Sequence, residues 1–257
     1  MKIIRPTVTI VGLLFLWGAI TAIADLPRFI LPSPLLVLQA LIAKADLIAG
    51  HAVITATEIL LGLAAGLTFG MFSALMISAY RPVRQWVFPI LIASQAVPVF
   101  AIAPILVLWL GYGIGPKIIV GALIIYFPVA VGFLDGLNRT DPAWINLASL
   151  LQDRSGKSKM AKLYFIYRYI KIPFALPSLS SGIRVAAAVA PIGAIVGEWV
   201  GSSAGLGFLM LHANARIQTD LLFASLLVLT LMAISLYYLV DHILRRIMPW
   251  QPDQKFT

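Results

Sequence analysis

The sequence predicts an all-α integral membrane protein with about six transmembrane helices, on three observations. Of its 257 residues 61% are hydrophobic and 11% charged, where a soluble domain carries about 25% charged, and the mean hydropathy is +0.97. Apolar runs recur at about the 20 residues that a helix needs to cross a bilayer. The basic residues gather in the connections between those runs, the pattern that records membrane topology. That clustering accounts for the +9 net charge without nucleic acid as a partner. The chain has no cysteine, which excludes disulfides and thiolate metal sites. All of 1–257 reads as one transmembrane domain.

The first span runs from Thr7 to Ala24 and is expected to be retained, because no small-residue cleavage site follows it. Leu31-Pro32-Ser33-Pro34 stops one helix and starts another. From Ser33 to Ala49, Leu35, Leu36, Leu38, Leu41 and Ile42 oppose Gln39, Lys44 and Asp46, a pattern for a helix lying at the outer interface. The second span is Ala52–Ala79, where Gly62, Gly66 and Gly70 recur every four residues, a spacing that permits close helix contact in lipid. The third, Trp86–Leu110, contains Pro89, Pro98 and Pro104. After an outer turn at Gly111–Pro116 the fourth covers Lys117–Leu134. The fifth is Leu179–Trp199, and the sixth, beyond an outer segment Gly201–Asp220, is Leu221–Leu244.

Between the fourth and fifth spans lies a polar loop, at about 139–171, that belongs in water. It holds seven basic residues: Arg139, Arg154, Lys157, Lys159, Lys162, Arg168 and Lys171. With Lys2, Arg5, Arg81, Arg84, Arg245, Arg246 and Lys255 this puts fourteen of the nineteen basic residues on one side. The outer segments hold four, Arg28, Lys44, Lys117 and Arg216, and Arg184 stands near the start of the fifth span. Positive charge marks the cytoplasmic side, so both termini are expected there.

Four segments carry a resemblance: Leu31-Pro32-Ser33-Pro34, SQAVPVFAIAPILVLWLGYGIGPK at Ser94–Lys117, IKIPFALP at Ile170–Pro177, and GEWVGSSAGLGFLM at Gly197–Met210. Through them nearly the whole chain resembles the membrane-spanning permease of a bacterial ABC importer of the nitrate/sulfonate/taurine type. The last segment and the HANAR that follows are most similar to permeases assigned to hydroxymethylpyrimidine, a thiamine precursor. The resemblance implies the type I ABC importer permease fold and a place in the bacterial inner membrane. It also implies a homodimer, two ABC ATPase subunits, and a periplasmic or lipid-anchored substrate-binding protein. ATP and Mg would sit on the ATPases and no cofactor on this chain. Gly156-Lys157-Ser158 imitates the end of a phosphate-binding loop, but Leu151 stands where that motif needs glycine.

The family's coupling signature is an acidic-Ala-Ala segment, a Gly, and then a Leu-Pro at fixed distance. Ile170–Pro173 matches its far end. Counting back places Met160 at the Gly and Arg154 at the acidic residue. Alternatively Asn146-Leu147-Ala148 stands for the first segment, and the eight residues Asp153–Met160 are an insertion. The second alignment is preferred, because Leu147, Leu150 and Leu151 form an apolar helical face while DRSGKSKM reads as a turn. Asn146, Leu147, Ala148, Leu150, Leu151 and Pro173 are thus the expected coupling residues, presenting a helix to a groove on the ATPase.

Glu58, Asp135 and Glu198 are acidic groups in or near spans, where charge requires water or a partner. Glu58 is itself a departure, since relatives often carry Arg there. Glu198 has three readings: contact with the binding protein, a cap on the following loop, or a pair with Arg216. The second and third are favoured. Pro98 and Pro104 free carbonyls that line a cavity or kink the helix for packing. Gln95, Pro98, Phe100, Trp109, Glu198 and Asn214 are the candidate lining of the translocation path. Its apolar, aromatic character suits a flat neutral heteroaromatic better than a sulfonate, taurine or nitrate anion. His51, His212 and His242 are isolated, and no catalytic constellation is placed. A secondary transporter would need inverted repeats, and neither half of the chain echoes the other.

Overall fold

The computed structural model describes residues 4–24, 27–153 and 158–250, and among them every regular element is helical. In order the α-helices are α1 Ile4–Ile23, α2 Pro34–Ala43, α3 Ala45–Ala79, α4 Arg81–Ala93, α5 Val99–Leu110, α6 Ile114–Asn138, α7 Pro142–Asp153, α8 Lys159–Ile166, α9 Ile172–Gly201, α10 Leu206–Ala215 and α11 Thr219–Ile247, with a 3₁₀ turn at Ser94–Ala96 and a π-helical turn at Tyr167–Lys171.

Among the described residues, four helical stretches are long and apolar enough to cross a membrane: Ala45–Ala79, Ile114–Asn138, Met160–Gly201 and Thr219–Ile247. A fifth arises if α4 and α5 count as one span, bent by 102°. The apolar stretch of α1, Val11–Ile23, is shorter. The expected six spans therefore stand as four continuous ones, a broken pair and a short first helix.

Proline chemistry explains two of the differences. Pro98 (φ −65°, ψ 122°) and Val97 (φ −89°, ψ 118°) are extended. A proline pushes the residue before it out of the α region, so the third span breaks there. The fifth span begins at α8, some twenty residues before the expected Leu179, and takes in the end of the basic loop. Pro173 has no N–H to give the carbonyl of Tyr169, and its ring crowds that carbonyl. The helix stays continuous by widening to a π-helical turn at Tyr167–Lys171, where the Ile172 N–H donates to the Tyr167 carbonyl. At the other end of the chain the amphipathic stretch splits at Lys44 (φ −118°), so α3 starts at Ala45 rather than Ala52. Ser33 caps α2, its Oγ accepting from the Leu36 N–H at 3.4 Å, with Pro34 at the first helical position.

The core is a trio of α3, α6 and α9, whose buried members include Ile59, Leu63, Ile125, Val129, Phe133, Ala186 and Ala190. The glycine stripe of α3 lies against α6. A Cβ added at Gly62 would stand 3.4 Å from Gly121 Cα, and one at Gly66 2.6 Å from Ile125 Cγ2. Small residues let these backbones approach where lipid offers no hydrophobic drive. A second cluster joins α2, α10 and α11 through Val37, Ala40, Leu206, Leu209, Leu221 and Ala224. The outer segment after α9 is thus a short helix packed onto the bundle.

Candidate functional site

Three places on this scaffold are candidates for function: a groove along α6 and α9, a polar cluster where the first halves of α3 and α6 meet the end of α9, and the helix α7 after α6.

The groove encloses about 680 Å³. Its α6 wall includes Ile124, Phe127 and Val131, residues between those that meet α3, so it opens on the face turned away from the bundle core. Val185 and Val189 of α9 face them. The floor is thin: a Cβ at Gly182 would sit 2.5 Å from the Pro128 carbonyl oxygen. Pro128 also has no N–H to return to the Ile124 carbonyl one turn back, which leaves a backbone acceptor at the groove. At the end toward α7 the lining turns polar with Asp135, Arg139, Ser178 and Ser181. Asp135 and Arg139 are exposed and one turn apart, yet no ion pair joins them among the described residues.

The polar cluster holds Glu58, Lys117 and Glu198, all buried. Lys117 Nζ donates to Glu58 Oε1 at 2.6 Å and to Ser202 Oγ at 2.7 Å. Glu198 is 1% exposed. It accepts from Thr55 Oγ1 at 2.6 Å, from the Phe208 N–H at 3.2 Å, and from the Gly207 N–H. Its carboxylate therefore caps the start of α10, where free N–H groups and the helix dipole favour negative charge. Thr55 Oγ1 also accepts from the Leu206 N–H at 2.8 Å, and His51 Nδ1 from the Gly205 N–H at 2.9 Å. Gly205 has φ +114°, and a Cβ there would fall on the Glu198 carboxylate. GEWVGSSAGLGFLM thus folds as the end of α9, a short loop at 202–205 and the start of α10, held around one buried acid. Glu198 is hydrogen-bonded to the start of α10, and among the described residues no ion pair joins it to Arg216.

Of the other expected path residues, Gln95, Pro98 and Phe100 meet at the bend between α4 and α5, all exposed. Phe100 tilts toward Trp199 at 6.4 Å between ring centroids. Trp109 lies about three turns along α5, and Asn214 at the far end of α10, both exposed. None of the six lines the α6–α9 groove. Asp135 was marked by its place in a span. Phe127, Ser178 and Ser181 carry no mark in the sequence, although Ser178 and Ser181 share one helical face directly after Leu176-Pro177 in α9.

In α7 the exposed residues include Trp144, Asn146, Leu147 at 49% and Leu150 at 67%, while Ala148 turns inward. Asp141 Oδ1 accepts from the Ala143 N–H at 2.8 Å and starts the helix. The side chain of Leu151, and residues 154–157 with Arg154 and Lys157, lie outside the described residues. Pro173 sits in the first turn of α9, past the π-helical turn. Beside this end, Arg184 Nε donates to Asp241 Oδ1 at 2.7 Å and Arg245 Nε to Asp241 Oδ2 at 2.8 Å, tying α9 to α11.

The family model described as binding-protein-dependent transport system inner membrane component matches residues 66–250. The chain belongs to this family. The permease is 46% identical over 246 residues to a probable ABC transporter permease protein of Haemophilus influenzae, covering 96% of this chain and 97% of that one. It is 34% identical to the riboflavin transport system permease protein RibX of Chloroflexus aurantiacus, over 95% and 89% of the two chains. With the formylaminopyrimidine transport permease protein ThiX of Halalkalibacterium halodurans it shares 31%, over 98% and 97%. In architecture it matches the crystal structure of an amino acid ABC transporter with histidines, at TM-score 0.62 and 17% identity over 81% of this chain and 97% of that one. The permease has the type I fold, as its sequence implies.

Proposed function

We propose that the permease forms, from two copies, the path by which an ABC importer moves a small nitrogen heteroaromatic such as a thiamine precursor across the inner membrane. The carrying observation is the groove. Asp135 stands uncovered in the last turn of α6 and Arg139 just beyond it, at the end of the apolar groove, where a charge turned to lipid needs water or a partner. That face therefore belongs against water or another subunit. Two ATPase subunits supply the energy through α7, whose exposed Trp144, Leu147 and Leu150 suit an apolar groove. A substrate-binding protein delivers solute at the outer side, where the bolted loop around Glu198 gives it a rigid surface. Both termini lie in the cytoplasm, following the basic residues.

Two observations favour the heteroaromatic. RibX and ThiX, each above 30% identity, are named for riboflavin and formylaminopyrimidine, both ring systems of this kind. Phe127 with Val131, Val185 and Val189 gives flat apolar walls for a ring. An importer of taurine or other sulfonates is the second reading, because the taurine permease TauC of Escherichia coli is 28% identical over 252 residues. The test is mass spectrometry of the ligand released on denaturing the copurified binding protein. A pyrimidine or related heteroaromatic is expected; a sulfonate would reverse the order. The intact complex should weigh as two permeases with two ATPases, and one permease per ATPase pair would refute the two-copy path.

A further inference from the structure

We infer that Asp135 and Arg139 close the inner end of the path by crossed ion pairs, Asp135 of each copy meeting the partner's Arg139. The inference rests on the two-copy reading above and assigns a gate to it. Three observations point to it.

First, the two residues lie in the groove on the uncovered face of α6 and α9, at the end nearest α7. A two-fold interface presents the same patch from both sides, so it must be self-complementary. One acid and one base on a single patch meet that requirement, whereas a patch of one sign would repel its copy.

Second, the charges are not already satisfied. Asp and Arg at i and i+4 on a helix are natural partners. Here they are exposed and unpaired with each other among the described residues. The contrast lies nearby: Asp241 pairs with Arg245 across the same i, i+4 spacing and with Arg184 as well.

Third, the spacing gives the pair two satisfied arrangements. Helical side chains lean toward the N-terminus, so Arg139 leans toward the level of Asp135. With the inner ends together, that guanidinium reaches the partner's Asp135 across the axis. With the ends apart, both groups face the water that fills the opened inner end. Opening the gate therefore strands no charge at the membrane edge, and neither state is locked. Ser178 and Ser181 on α9 supply hydroxyls beside the exchange.

The test uses the absence of cysteine from the sequence. Two differently tagged permeases, one Asp135→Cys and the other Arg139→Cys, are coexpressed with the ATPase. Each chain then has one thiol, so only a disulfide between chains can form. Cross-linking, by oxidation and in parallel by a short bifunctional maleimide that spans the wider Cα separation of an Asp–Arg pair, is carried out with and without a non-hydrolysable ATP analogue, to sample both arrangements of the inner ends. A linked species carrying both tags is expected in at least one condition. If both tags copurify in one complex and no mixed link forms in either, the crossed pair is refuted and the two-copy path stands. If the tags do not copurify, the two-copy path itself fails.

Charge exchange gives an independent readout. Asp135→Arg alone, or Arg139→Asp alone, places like charges across the axis and should lower uptake several-fold. The double exchange Asp135→Arg with Arg139→Asp should restore uptake to the wild-type range. A double variant as poor as the worse single one would overturn the assignment.

Discussion

Lys117→Met isolates the buried ion pair between α3 and α6. Lys117 Nζ is 2.6 Å from Glu58 Oε1 and 2.7 Å from Ser202 Oγ, with both charged residues buried. Methionine keeps the volume of the stem and removes the charge. Glu58 is then a buried anion without its cation, and breaking such a pair costs about 3–5 kcal/mol. Loss of the donor to Ser202 adds about 1 kcal/mol. Replacing both members by apolar residues is often neutral, so Lys117→Met combined with Glu58→Leu should recover most of the loss. Thermal unfolding of the purified permease, followed as the monodisperse fraction remaining in one detergent, reads all four corners of the cycle. A single variant as stable as wild type would refute the claim that the pair holds α3 to α6. A double variant worse than the single would refute the charge argument.

Leu147→Asp with Leu150→Asp should release the ATPase while the permease still inserts. Each leucine buried in a docking groove contributes roughly 1.5–3 kcal/mol, and copurification measures the loss. Gly182→Ala should push α6 from α9 and lower thermal stability by about 1–3 kcal/mol, because its Cβ would stand 2.5 Å from the Pro128 carbonyl oxygen. Pro98→Ala lifts the restraint on Val97 and should favour a straighter α4–α5; spin labels placed on the two helices would show their separation increase, and an unchanged distance would mean that packing sets the bend. Gly205→Ala should destabilise the outer loop, since the added methyl meets the Glu198 carboxylate at φ +114°.

The long spans were legible because lipid demands apolar length, and the glycine stripe because Gly62, Gly66 and Gly70 keep one face of α3. The break at Pro98 was visible as a proline among three, but nothing local separates Pro98 from Pro89 and Pro104, which stay inside helices. The longer α9 was hidden, since Pro173 argues for a break and the π-helical turn that absorbs it has no sequence mark. Lys117 read as an outer-segment charge; its burial depends on Glu58, 59 positions away. Glu198 was recognised as an acid at a span end, but its three donors come from α3 and from the first turn of α10, which only the fold brings back. The groove escaped for the same reason. Asp135 is conspicuous alone, whereas Phe127, Ser178 and Ser181 become a surface only when α6 lies on α9.

The central claim is that this chain is the path of an ATP-driven importer. The most direct measurement is uptake into proteoliposomes holding the permease and its ATPase, with binding protein and labelled heteroaromatic on the outer side and ATP enclosed. Accumulation that requires all four components, with ATP turnover that rises when the binding protein carries its ligand, is the predicted result. Accumulation that persists without ATP and follows an ion gradient instead would contradict the account.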